Sequence, residues 1–195
     1  MMMNKKYGVS WLLAVTAMFI LPLVAAAADK TVYLPIIGNA TGYKISDTGP
    51  AGGKVFFVSS DGLHGLEATS GRSISQDYKL WYNGAYITTN AKRGGVNAGQ
   101  LNTERIINHQ GAGDYAAQLC ANYQGGGYGD WYLPSKEELN LLYLQKDVVG
   151  GFDDVHYWSS TEINNLDAWT QYFLNGFQSA YQKNVWRRVR CIRAF

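Results

Sequence analysis

Gly129-Asp130-Trp131-Tyr132-Leu133-Pro134-Ser135-Lys136-Glu137-Glu138-Leu139 joins an aromatic, strand-like run to a helix through a single proline. Pro134 cannot donate to a sheet ladder, so the run stops there. Ser135 with Glu138 three residues on is a capping box. The serine hydroxyl accepts from the third helical N–H, and the glutamate returns to the N–H of the cap. Leu139, Leu142 and Tyr143 then fall on one face and predict a buried side. Tyr157-Trp158-Ser159-Ser160-Thr161 and Arg188-Val189-Arg190-Cys191-Ile192-Arg193 follow as strand-like runs. Strand, stop, helix and further strands in that order predict an α+β domain.

Upstream, Asn102 can cap a helix through Ile106, Ile107 and His109, and Asp114 can cap a second. In the second, Tyr115, Leu119, Cys120 and Tyr123 form one stripe, which turns Cys120 toward the core. Two to three helices are therefore expected, packed on small antiparallel sheets. Lys54-Val55-Phe56-Phe57-Val58 reads as a strand buried on both faces, and Gly65-Leu66-Glu67-Ala68 begins the next. Residues 70–99 lack a helical period and carry Tyr78, Trp81, Tyr82 and Tyr86 among glycines and asparagines, which predicts an ordered loop layer. Leu174-Asn175-Gly176-Phe177 predicts a two-residue type I′ hairpin. Val185–Arg193 reads as one strand, with Val189 and Cys191 on one face and Arg188, Arg190 and Ile192 on the other.

The first residues read as an address. Lys5 and Lys6 precede an apolar run from Val9 to Val24, and Ala25–Ala28 offers small residues for cleavage. That is the layout of a secretory signal peptide over residues 1–28, with no membrane span left after cleavage. Residues 29–42 are a lead-in in which Val32, Tyr33, Leu34, Ile36 and Ile37 can form an edge strand. Residues 43–195 are the domain, and export to the periplasm, the cell surface or the medium is expected. Losing Lys5 and Lys6 takes the formal charge of +2 to zero. A neutral exported protein is a poor partner for nucleic acid. Twenty-two glycines and 14% aromatic residues predict a loop-rich globule.

Cys120 and Cys191 are the only cysteines, and an even pair in an oxidising compartment reads most simply as a disulfide. A catalytic or metal-binding cysteine is the alternative, and it wants a second cysteine or a spaced histidine beside it. Charge is sorted along the chain. Residues 130–167 hold eight acids and two lysines, whereas residues 168–195 hold Lys183, Arg187, Arg188, Arg190 and Arg193 with no acid. One reading pairs these cations internally with the acidic segment. The other makes a basic strip for sulfate or carboxylate groups of a glycan, with Lys183 and Arg187 as its exposed cations. Tyr82, Tyr86, Tyr128, Trp169 and Tyr172 are candidates for stacking on sugar rings, while Trp131 and Trp158 are expected in the core.

Glu162, Asn164, Asn165 and Asp167 are dense enough in oxygen to hold Ca²⁺, and equally read as a solvated turn. His64, His109 and His156 are far apart and show no metal spacing. Asp153-Asp154 and Glu137-Glu138 are adjacent pairs whose side chains point apart, so neither pair can flank one bond alone. No phosphate loop or nucleophile elbow is present. Neither a cofactor nor a catalytic residue is expected.

Several motifs in order carry a resemblance. They are Asp47-Thr48-Gly49-Pro50 with Gly52-Gly53, Val55-Phe56-Phe57-Val58, His64-Gly65-Leu66-Glu67-Ala68 and Asn102-Thr103. Tyr115-Ala116-Ala117 with Cys120, the Gly129–Ser135 run with Glu138-Leu139, Tyr157–Thr161, Ala168-Trp169 and Val189-Arg190-Cys191 complete them. From about Tyr43 onward the chain resembles the C-terminal domain of the Legionella collagen-like protein (Lcl) family. The resemblance implies a C-type lectin-like fold, with a helix cysteine bonded to the last strand, which Cys120 and Cys191 match. It also implies adhesin-like recognition of a polysaccharide or glycosaminoglycan-like ligand, without catalysis. The chain departs from the pattern in carrying no collagen-like repeat. It also lacks the Glu-Pro-Asn triplet through which calcium-dependent lectins hold sugar. Leu133-Pro134-Ser135 with its glutamate is similar to the formylglycine-generating enzymes too, whose reactive cysteines have no counterpart here. A cell-envelope enzyme or accessory with a fold-assembled carboxylate site, and a protein–protein interaction module, are the alternatives.

Overall fold

The computed structural model describes residues 42–70 and 78–195; the expected signal peptide and the lead-in strand lie outside them. The elements are β1 (Lys54–Val58), β2 (Gly65–Ala68), β3 (Tyr78–Lys79), α1 (Ala98–Gln110), α2 (Ala116–Ala121), α3 (Lys136–Leu144) and α4 (Lys146–Val149). They continue as β4 (His156–Glu162), β5 (Asp167–Tyr172), β6 (Gln178–Gln182), β7 (Arg187–Arg188) and β8 (Ile192–Ala194). A three-stranded sheet has the order β1-β2-β8 and a five-stranded sheet the order β3-β7-β4-β5-β6. The α+β class is as the sequence predicts, with α4 an extra single turn. One pairing differs from the expected antiparallel sheets, since β7 runs parallel to β4.

Alternation along extended segments builds two apolar clusters. Trp131 and Leu133 enter one and Tyr132 the other; Trp158 and Tyr157 divide in the same way, and so do Cys191 and Ile192. The first cluster gathers Trp81, Ile106, Tyr115 and Cys120 around Trp158, and the second gathers Leu66, Leu139, Leu142 and Phe173 around Tyr157. Trp131 and Trp158 are buried as expected. Cys120 on α2 is bonded to Cys191 across 71 residues of chain, with Cα atoms 5.3 Å apart.

α3 begins as its sequence dictates. Ser135 Oγ accepts from Glu138 N at 3.1 Å, and Glu138 Oε2 accepts from Ser135 N at 2.7 Å. The other two helix starts differ from expectation. α1 begins at Ala98, ahead of Asn102, because Glu138 also caps it: its carboxylate accepts from Asn97 N at 2.7 Å and Gly99 N at 3.1 Å. Asn102 lies inside the helix, and its amide pairs with both backbone groups of Arg93. Asp114 does not cap α2. It pairs with Lys79 at 2.7 Å, while Ala116 N donates to the Leu80 carbonyl.

Two β expectations are also corrected. The β5–β6 connection is a five-residue loop over 173–177 in which only Gly176 takes a positive φ, 80°. Gly176 N donates to the Tyr172 carbonyl, and Asn175 Oδ1 accepts from Phe177 N, so Asn175 braces the loop. Residues 185–193 are not one strand: β7 belongs to the five-stranded sheet and β8 to the three-stranded one. Val189, Arg190 and Cys191 form the buried crossing between the sheets, so their side chains do not alternate between core and solvent.

Candidate functional site

The basic C-terminal segment is mostly engaged internally. Arg188 Nη2 donates to Asp153 Oδ2 at 2.7 Å, and Arg193 bridges Asp130 and Glu67. Among the described residues Arg190 takes no carboxylate. It donates to the carbonyls of Thr69, Gly150 and Gly151, and its guanidinium lies 4.0 Å over the Phe152 ring. Burial holds it down to about 10, well below the usual arginine range.

Lys183, expected as an exposed cation, is fully buried. Its Nζ lies 2.6 Å from Glu162 Oε1, 3.3 Å from the Ile87 carbonyl and 4.4 Å over the Trp81 ring. Burial outweighs the pull of Glu162 and holds the amine below the ordinary lysine range. The same contact removes the calcium reading. Glu162 ends β4 pointing inward and accepts from Thr89 N, Thr89 Oγ1 and Asn90 N in addition to Lys183. Asn164 Oδ1 accepts from Leu166 N and Asp167 N, an ordinary Asx turn, with Asn165 on the same turn. Among the described residues no group of three metal-ligating side chains forms.

Glu162 is one of three buried glutamates that each tie a distant loop. Glu67 accepts from Ala51 N and Gly53 N, and Glu138 holds the Asn97–Gly99 turn. Glu138 is also bonded by the Tyr132 hydroxyl, and burial pushes its carboxyl above the usual range. Glu137 reaches the same stretch by accepting from Gly95 N, so the adjacent pair grips one loop rather than diverging. Glu67, Glu138 and Glu162 each accept from at least three donors, so they hold the loops that supply those donors in place. Ser59, Asp61 and His64 also cluster, but in the wrong order for nucleophile activation. Asp61 stands between the other two, with His64 Nδ1 at 2.7 Å, and Ser59 Oγ bonds to Asp61 and not to the imidazole.

The remaining candidates separate into three places. Trp169 lies beneath Lys136 Nζ at 3.7 Å, Tyr128 beneath the Arg193 guanidinium at 3.8 Å, and Tyr82 against Tyr86 at 4.9 Å. None of these lines the cleft to which Arg187 and Tyr172 contribute. That cleft, about 450 Å³, is bounded by Tyr78, Asp154, Val155, His156, Tyr172 and Arg187. Strand register assembles it: His156 on β4 is directly opposite Tyr172 on β5, and their rings stack at 4.8 Å and 13°. Tyr181 on β6 meets the His156 ring edge-on at 4.8 Å and carries the Arg187 guanidinium 4.1 Å over its own face.

Hydrogen bonding orients the cleft. Thr170 Oγ1 lies 3.1 Å from both the Ser179 carbonyl and His156 Nδ1, linking β4, β5 and β6. His156 Nε2 faces the Tyr181 hydroxyl at 3.4 Å. Burial, reinforced by the Arg187 charge, holds the imidazole below the ordinary histidine range and hence neutral. Arg187 Nη1 donates to its neighbour's carbonyl, and among the described residues its buried Nε has no hydrogen-bond partner. His156, Tyr181, Tyr78 and Asp154 do not stand out in the sequence, because it takes the pairing of β3 on β7 and of β7 on β4, as well as the β4–β5–β6 register, to bring them to Arg187.

The family model described as the Lcl C-terminal domain matches residues 76–193, which includes every strand and helix from β3 to the start of β8. No curated protein matches the chain. The disulfide indicates folding in an oxidising environment. Among the described residues no helix is long and apolar enough to cross a membrane.

Proposed function

This chain belongs to the Lcl C-terminal domain family, and from that membership we propose that it is an exported, non-catalytic binding domain for an acidic polysaccharide. The observation that carries the reading is Arg187, whose guanidinium is held 4.1 Å over the Tyr181 ring at the wall of the cleft. A planar guanidinium braced by a ring suits bidentate capture of sulfate or carboxylate. Tyr172 and Tyr78 offer ring faces for a sugar, and Asp154 offers an acceptor for a hydroxyl. The carboxylate also keeps the cleft from being uniformly cationic, which favours a saccharide bearing one acidic group over a bare polyanion.

The test is retention on a glycan array at low and high salt. Sulfated and uronate-bearing glycans are expected to retain the protein, weakly at high salt, and Arg187→Ala is expected to abolish retention. Retention that survives Arg187→Ala, or preference for neutral glycans, would overturn the proposal.

A further inference from the structure

Among the described residues β6 is an outer strand of the five-stranded sheet, paired only with β5. Edge strands are commonly blunted by charge, proline or brevity. Gln178-Ser179-Ala180-Tyr181-Gln182 has five residues and neither charge nor proline; Lys183, directly after it, is turned inward, and Arg187 is held over the Tyr181 ring.

The register defines which backbone groups face outward. Lys183 N donates to the Leu166 carbonyl and Tyr172 N to the Phe177 carbonyl, so the odd-numbered residues of this strand bond to β5. Alternation turns the N–H and C=O of Gln178, Ala180 and Gln182 away from the sheet. Among the described residues only the Gln182 carbonyl of these is engaged, by Val185 N, and it keeps a second lone pair.

We infer that β6 is a self-association edge, joining a second copy of this chain in antiparallel register about a two-fold axis through Ala180. In that register Ala180 faces Ala180 as a hydrogen-bonded pair, Gln178 faces Gln182 twice, and Ser179 faces Tyr181. Every outward donor then meets an outward acceptor, and no like charges oppose one another. The flanks agree with this choice of occupant. Leu174 and Phe177 precede β6 with 52% and 65% exposure, and Trp186 follows it at 53%. A two-fold antiparallel arrangement brings the Trp186 end of each copy against the Leu174–Phe177 end of the other, covering apolar surface at both ends of the ribbon. An unrelated extended peptide would satisfy the backbone groups but has no built-in match for both apolar ends.

Sedimentation velocity over a wide range of protein concentration tests this on the exported chain. The wild type is expected to shift from monomer to dimer as concentration rises. Ala180→Lys places two like charges across the axis and is expected to weaken the dimer about fivefold. Mixing it with Ala180→Glu is expected to restore association, as a heterodimer. Ala180→Pro removes the central outward N–H, which β5 does not use, and is expected to leave only monomer. Ala180 is exposed, so unchanged circular dichroism is the check that each variant folds. A wild type that stays monomeric throughout, or a dimer indifferent to all three substitutions, overturns the inference; so does a monomer that pairs only with extended peptides.

Discussion

Lys183 Nζ lies 2.6 Å from Glu162 Oε1, and neither side chain has any solvent-accessible area. A buried pair of this kind gains from Coulomb attraction at low dielectric but loses hydration on both sides, so it is a device for specificity more than for stability. What it specifies here is the path of the 87–90 loop. Glu162 binds Thr89 and Asn90, and Lys183 binds the Ile87 carbonyl.

Lys183→Met is therefore expected to destabilise the protein by about 3–5 kcal/mol, because it leaves Glu162 buried without its counter-charge. Urea unfolding reads the loss, and hydrogen exchange is expected to show the amides of Thr89 and Asn90 losing protection first. A change below about 1 kcal/mol, the range of an exposed pair, would contradict the burial of Lys183.

The Cys120–Cys191 bond closes a loop of 71 residues and ties α2 to the crossing between the two sheets. Replacing both cysteines by alanine is expected to lower unfolding free energy by about 4 kcal/mol, the chain entropy returned to the unfolded state. Thiol alkylation of the unreduced, denatured protein is expected to label neither sulfur. Labelling of both would remove the covalent tie between the helical layer and the C-terminal strands.

Local chemistry explains which parts of this architecture were legible in the sequence. Ser135 and Glu138 are three residues apart and cap α3 through contacts internal to the motif, so the helix was readable from a short stretch. The start of α1 was not, because its capping carboxylate comes from Glu138, on a different helix. Lys183 and Glu162 failed for a related reason. Outside its fold a lone lysine beside a strand and an oxygen-rich turn read as solvent-facing, and only the pairing of β4, β5 and β6 buries them together. The candidate cleft was half legible. Arg187 and Tyr172 stand out by residue type, whereas His156 and Tyr181 acquire meaning only through cross-strand register.

Ser135→Ala tests the legible part. It removes the hydroxyl that accepts from Glu138 N and donates to the Gly95 carbonyl. The expected loss is about 1 kcal/mol, read by thermal or urea unfolding. Glu138→Gln is expected to cost more. The carboxylate accepts from Asn97 N, Gly99 N, Ser135 N and the Tyr132 hydroxyl, and an amide nitrogen in place of one oxygen would face those donors. Equal losses for the two variants would show that Glu138 holds only its own helix.

His156 gives the cleft a pH signature with a definite sign. Its native pKa lies below the ordinary 6.5, because burial and then the Arg187 charge oppose the imidazolium. At pH values between the native and unfolded pKa the unfolded chain binds the proton and the folded one does not. Its contribution to stability is thus complete above 6.5 and is lost as pH falls through the native value, with a slope of at most about 1.4 kcal/mol per pH unit. Proton NMR of the imidazole is expected to place the titration midpoint below 6.5. Arg187→Ala should move it upward, since the cation is removed while the stack on Tyr172 stays. His156→Phe retains a ring against Tyr172 and Tyr181 and is expected to flatten the acid slope of the unfolding free energy. A midpoint at or above 6.5 would mean that burial does not oppose the imidazolium, and one that ignores the loss of Arg187 that the guanidinium does not act on this ring. The electrostatic description of the cleft would then fail with it.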